Sequence, residues 1–250
     1  MEFIYHDLII NYEVKGSGEA LIILHGWNAD TSIYESIINM LKRKYLVYII
    51  DLPGFGESML PSRPYSLDDY VDFVHTFISN LNIDNPIIIG HSFGGRIAIR
   101  YVNKFEIKKL ILISSAGIKR FNLKTKYKIC KYKLKKKYYI LTRNIPKLEE
   151  LQNNSGSSDY QCLNNTMKRT MINIINTDQT KELKNVNVPT LLLWGKRDLQ
   201  TPYKDALLMN KKIKDSGLVT FNYSGHFPFI DEEYLFIKVL ASFLEVGDSK

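Results

Sequence analysis

The chain has 250 residues, 45% of them hydrophobic, and a formal net charge of +8; that length and apolar content fit a globular protein with a substantial core, as one large α/β domain or two small ones. No apolar run approaches the roughly 18 residues of a membrane span, and Met1–Asp7 carries acids where a secretory signal needs a basic flank, so a cytoplasmic protein is expected. Cys130 and Cys162 lie far apart with no Cys-x-x-Cys spacing, which points to packed or free thiols and not to a zinc site or a disulfide framework.

Phe3–Lys15 alternates apolar and polar residues and ends at Gly16-Ser17-Gly18, the pattern of an antiparallel strand pair at a sheet edge. Short continuous apolar runs follow at Leu21–Leu24, Tyr45–Ile50, Pro86–Ile89, Leu110–Ile113 and Thr190–Trp194. Each has strand length and no alternation, as expected where both faces of a strand are covered. Amphipathic stretches lie between most of them, such as Ser32–Leu41 and Leu67–Leu81. Strand-helix-strand repetition predicts a mostly parallel central sheet flanked by helices.

The rhythm breaks between Gly117 and Val188, which predicts a core domain of residues 1–116 and 189–250 with an inserted α-helical cap at 117–188. Leu123, Tyr127, Cys130, Leu134, Tyr138 and Leu141 recur at helical steps, as do Leu163, Met167, Met171 and Ile174. Both stripes are expected to pack as cap helices over the carboxyl edge of the sheet, where ligands of open α/β sheets bind. The segment also holds the polar patch Gln152–Ser158. The positive charge is concentrated here: Lys119–Lys147 contains 12 Lys or Arg and no acid, leaving 22 bases against 26 acids elsewhere.

Ile89-Gly90-His91-Ser92-Phe93-Gly94 follows a strand run, precedes a helix-like stretch and fits the Gly-x-Ser-x-Gly pattern of a nucleophile elbow. Such a turn exposes one serine above the positive end of a helix, and Gly90 and Gly94 leave room for backbone that passes close by. Serine becomes a nucleophile when a base takes its proton and an acid orients the base. Of the five histidines, His226 stands in a Gly- and Pro-flanked loop after the late run Leu218–Tyr223. His91 adjoins the serine but should point away from it, and His6 and His75 fit structural or exposed places.

Asp198 follows Leu191–Trp194 just past a strand end; its structural alternative is to cap the helix that begins near Pro202. The order Ser92, Asp198, His226 is that of α/β hydrolases. Oxyanion donors are expected from the backbone N–H groups of Phe93, just after the nucleophile, and Trp27, in the His25-Gly26-Trp27 loop after an early strand. No phosphate or dinucleotide cradle is present, and neither a metal nor a cofactor is expected.

With these motifs the chain resembles the α/β-hydrolase superfamily of serine hydrolases with a helical cap. The resemblance also rests on Asp51-Leu52-Pro53-Gly54-Phe55-Gly56-Glu57-Ser58, in which similar members use the aspartate to shape a turn. It implies an esterase with an acyl-enzyme intermediate, of the type of the pimeloyl carrier-protein methyl ester esterases. The same triad also serves carbon–carbon bond hydrolases of vinylogous diketones, and a ligand-sensing or partner-regulating protein on a hydrolase fold is the alternative from another class. The basic segment Lys119–Lys147 reads as a solvated helix face, as a site for an acidic carrier protein or anionic substrate, or as a contact for an anionic membrane surface. Nucleic acid is not expected, because no recognition module accompanies the charge.

Overall fold

The computed structural model describes residues 1–29, 31–119, 123–154, 156 and 158–247. Arg120 of the basic segment and Ser155 and Ser157 of the polar patch lie outside the described residues, as does the Leu123 side chain. The eight strands are β1 (Glu2–Tyr5), β2 (Leu8–Gly16), β3 (Glu19–Leu24), β4 (Tyr45–Ile50), β5 (Ile87–His91), β6 (Lys109–Ile113), β7 (Thr190–Gly195) and β8 (Ser216–Phe221). They form one sheet in the order β1-β2-β4-β3-β5-β6-β7-β8. The alternating N-terminal segment supplies the antiparallel edge, β1 on β2 and β2 on β4; every other pairing is parallel.

Because side chains alternate across a strand, a continuous apolar run feeds two cores at once. Ile23, Ile89, Ile111 and Leu193 face one cluster, completed by Ile37 and Leu41 of α1 (Glu35–Leu41) and by Phe236 and Leu240 of the helix Glu233–Leu244. Ile22, Ile88, Leu112 and Leu192 face the other, with Phe73 and Phe77 of α2 (Leu67–Asn80), Ile97 of α3 (Phe93–Val102) and Met209 of α8 (Lys204–Lys212). The start of α2 is fixed by a capping box, with Ser66 accepting from the Asp69 N–H and the Asp69 carboxylate accepting from the Ser66 N–H. This is the α/β fold read from the sequence, with helices on both sides of a mostly parallel sheet. The late strand starts two residues earlier than its apolar run, since pairing with β7 begins at Thr190 opposite Ser216 and ends at Gly195 opposite Phe221.

Between β6 and β7 lie α4 (Leu123–Leu141), α5 (Ile145–Asn153), α6 (Ser158–Cys162) and α7 (Asn165–Ile175). The second apolar stripe packs as its period suggests: Met167 and Ile174 are buried, and Thr170 Oγ1 accepts from the Tyr65 N–H at 2.9 Å. The first does not. Tyr127, Leu134, Tyr138 and Leu141 are each more than 60% exposed, and Cys130 is exposed as well. The main neighbour of α4 is α5 and not the sheet. Helical periodicity marks a face without fixing what covers it, and here α7 alone lays its stripe against the core. No helix among the described residues is long and apolar enough to cross a membrane.

Candidate active site

Four strand ends meet at one edge of the sheet because β3, β5, β7 and β8 run parallel. The loops that leave them carry His25-Gly26-Trp27, Ser92, Asp198 and His226 in turn. Ser92 has φ 51° and ψ −108°, a conformation that costs a non-glycine residue about 1–3 kcal/mol and persists only when its surroundings enforce it. The surroundings are tight. The Ser92 N–H donates to the Ile113 carbonyl at 3.0 Å and the Gly94 N–H to the His25 carbonyl at 3.0 Å. A Cβ at Gly94 would stand 2.0 Å from the Leu24 carbonyl oxygen, and one at Gly90 would stand 2.6 Å from the Gly95 Cα.

The Asp198 Oδ2 lies 2.8 Å from the His226 Nδ1, with both side chains nearly sealed from solvent. The carboxylate is held on its other side as well, accepting at Oδ1 from the Gln200 and Thr201 N–H groups at 2.8 and 2.9 Å. Thr201 Oγ1 sits 2.8 Å from Oδ2. Burial opposes ionisation of Asp198, yet the hydrogen bonds from His226 and Thr201 outweigh it and hold the carboxyl below the ordinary range. An anion in this place fixes the imidazole with its proton on Nδ1 and leaves Nε2 free to act as a base.

Ser92 and His226 line the same cavity, of about 460 Å³, together with Gly26, Trp27 and Phe93. Phe93 is the first residue of α3, so its N–H is one of the unpaired donors at the positive end of a helix. Among the described residues neither the Phe93 nor the Trp27 N–H donates to a protein acceptor. The Trp27 ring is rooted against Phe55 and Phe93, at centroid distances of 4.8 and 5.3 Å. His25 turns away from the cavity: its Nε2 accepts from the Leu52 N–H at 2.9 Å and its Nδ1 donates to the Gly26 carbonyl at 2.7 Å. Asp51 also has a shaping place, with its carboxylate bonded to Asn11 Nδ2 and the Glu57 N–H.

His91 points away from Ser92, as expected from the sequence, into a buried contact that the sequence did not disclose. Its Nδ1 lies 2.9 Å from the Tyr34 hydroxyl, which also accepts the Gly26 N–H at 3.3 Å. Burial, reinforced by the nearby His226, pushes the His91 pKa down to about 3. Thr201 was likewise missed, although a threonine three residues past a loop aspartate is placed to close an Asx-type turn. Ser114 and Ser115 follow β6 without a carboxylate, and the carboxylate that meets His226 is that of Asp198. His6 is exposed, and His75 stacks on Phe105 at 3.7 Å. Among the described residues no cluster of three His, Cys, Asp or Glu side chains could hold a metal ion.

The alpha/beta hydrolase fold family matches residues 19–139, and the TAP-like protein family matches residues 154–249. The AB hydrolase superfamily protein YisY of Bacillus subtilis is 31% identical over 91% of this chain and 92% of its own length. A pimeloyl-[acyl-carrier protein] methyl ester esterase of Legionella pneumophila is 29% identical over 94% of this chain and 99% of its own. Among solved structures, an esterase from Exiguobacterium antarcticum superposes with a TM-score of 0.75 at 25% identity, covering 95% of this chain and 96% of that one.

Proposed function

This chain belongs to the α/β-hydrolase superfamily, and from that premise we propose that it is a serine hydrolase cleaving carboxylic esters through Ser92, His226 and Asp198. The observation that carries the reading is the 2.8 Å contact of Asp198 with His226 beside a cavity that Ser92 shares. In this mechanism the His226 Nε2 takes the Ser92 hydroxyl proton as Oγ attacks the ester carbonyl. Asp198 accepts from Nδ1 and stabilises the imidazolium. The Trp27 and Phe93 N–H groups receive the oxyanion, and the same imidazolium then protonates the departing alcohol. Water, activated by His226, releases the acid from the acyl-enzyme. Esterases among the relatives and structural neighbours support the ester as substrate. Turnover of a p-nitrophenyl ester should fall on the order of 10⁶-fold in Ser92→Ala. An unchanged rate in that variant would remove the serine from the mechanism, and turnover confined to vinylogous diketones would move the enzyme to carbon–carbon cleavage.

The basic segment is proposed as the docking face for an acidic carrier protein that presents the acyl group. Lys128, Lys131, Lys133, Lys135 and Lys137 of α4 are exposed to solvent, and the relatives include an esterase named for a carrier-protein substrate. For a carrier-bound ester, kcat/KM should fall steeply with added salt, because exposed charges are screened within about 10 Å at 0.1 M. A salt-independent profile would contradict the docking role.

A further inference from the structure

Resting on the esterase reading, we propose that the cavity takes an ester that bears a carboxylate of its own, held by the guanidinium of Arg96. Arg96 follows Ser92 by one turn of α3, its N–H donating to the Ser92 carbonyl at 3.3 Å. Its side chain lines the cavity, although the residue is only 6% exposed. Guanidinium carries five N–H donors. Nη1 is committed to α7 and the turn after it, bonding the Ile174 carbonyl at 3.0 Å and also the Thr177 carbonyl. Nε and Nη2 have no acceptor among the described residues, and neither is among the fully buried unpaired atoms, so each keeps some exposed surface, and the cavity is open space that Arg96 lines.

A buried cation ordinarily needs a counter-charge, yet Arg96 forms no ion pair with a described Asp or Glu. Asp178 and Glu182 act on it from farther off, and burial pushes its pKa down to about 10, which leaves it charged at neutral pH. Bracing two carbonyls would occupy one nitrogen. What remains is a planar pair of donors, Nε and Nη2, the fork that binds a carboxylate with two parallel hydrogen bonds. Met171, Ile174 and Ile175 supply apolar wall for the rest of the substrate. Arg96 thus sets specificity, selecting a substrate carboxylate near the scissile carbonyl.

Two substrate pairs test this, each an anion and its methyl-ester twin: p-nitrophenyl glutarate, with the carboxylate on the acyl side, and 3-carboxyphenyl butyrate, with it on the leaving group. The anion should be favoured in one pair by about 10- to 100-fold in kcat/KM, the range of a charge-assisted hydrogen bond, and the favoured pair tells which half Arg96 holds. Arg96→Met should bring that ratio toward one, mainly through KM, and Arg96→Lys should keep part of it. An arginine that only braced α7 would lower both members of each pair alike. Binding is measured separately by calorimetric titration of monomethyl glutarate into Ser92→Ala protein with and without Arg96→Met. Loss of binding with the arginine supports the anion site even if no ester is turned over, in which case the esterase reading alone fails. Equal binding with and without Arg96, together with equal kcat/KM within both pairs, overturns the proposal.

Discussion

His91 Nε2 donates to the carbonyl oxygen of His226 at 3.1 Å, tying the residue before the elbow serine to the loop that carries the candidate base. The same ring accepts from the Tyr34 hydroxyl, which in turn receives the Gly26 N–H. One neutral imidazole therefore fixes three loops relative to each other: that of Gly26 and Trp27, the elbow, and that of His226. Burial keeps this imidazole neutral.

Tyr34→Phe removes the hydroxyl and keeps the ring stacked on Phe229. The Gly26 N–H and the His91 Nδ1 then lose this partner in a sealed site, which should cost about 1–3 kcal/mol of stability, read from urea unfolding. Activity should fall mainly in kcat, because Gly26 leads into the Trp27 N–H. Stability equal to that of the parent would show that the hydroxyl contact adds nothing.

Acid should weaken the fold through His91. Its folded pKa of about 3 lies below the ordinary imidazole value of 6.5, so above pH 6.5 neither state is protonated and its contribution is complete. Below that pH the unfolded chain takes up a proton that the folded chain refuses, and stability falls by about 1.4 kcal/mol per pH unit until the folded pKa is reached. In His91→Gln this part of the slope between pH 6.5 and pH 3 should disappear; an identical slope in both proteins would contradict the assignment.

Asp198→Asn should fold, because the Gln200 and Thr201 N–H groups still find an amide oxygen where they now meet Oδ1. The imidazole, however, loses the anion that holds its proton on Nδ1. By analogy with other triads the loss should be about 10⁴-fold in kcat, measured on a p-nitrophenyl ester alongside thermal unfolding. A loss below tenfold would put the orienting acid elsewhere.

Gly94→Ala tests the elbow's packing. The added methyl would have to displace the Leu24 carbonyl oxygen, 2.0 Å away, so overpacking should cost about 1–3 kcal/mol and shift the Phe93 N–H away from the oxyanion. Loss of both stability and kcat is expected; unfolding at the parent's denaturant midpoint would mean that the turn is looser than its geometry suggests.

Much of the candidate site was legible in the sequence because each candidate residue follows its own strand. The local signals of Trp27, Ser92, Asp198 and His226 needed only the parallel order of β3, β5, β7 and β8 to bring them to one edge. Tyr34 escaped notice because it meets His91 across 57 positions of sequence, and nothing in its turn announces a buried acceptor. Arg96 carries no local signal, and its burial depends on α7, which arrives from a distant part of the chain. For α4 the periodicity was present, but the face it marks is exposed, since a repeat of apolar residues does not name its partner.

The nucleophile is the central claim, and a fluorophosphonate probe followed by peptide mapping tests it most directly. One probe per chain is expected, attached to Ser92, with labelling lost in Ser92→Ala and slowed in His226→Ala. Labelling of a different residue, or a folded protein that hydrolyses esters while its Ser92 stays unmodified, would contradict the account.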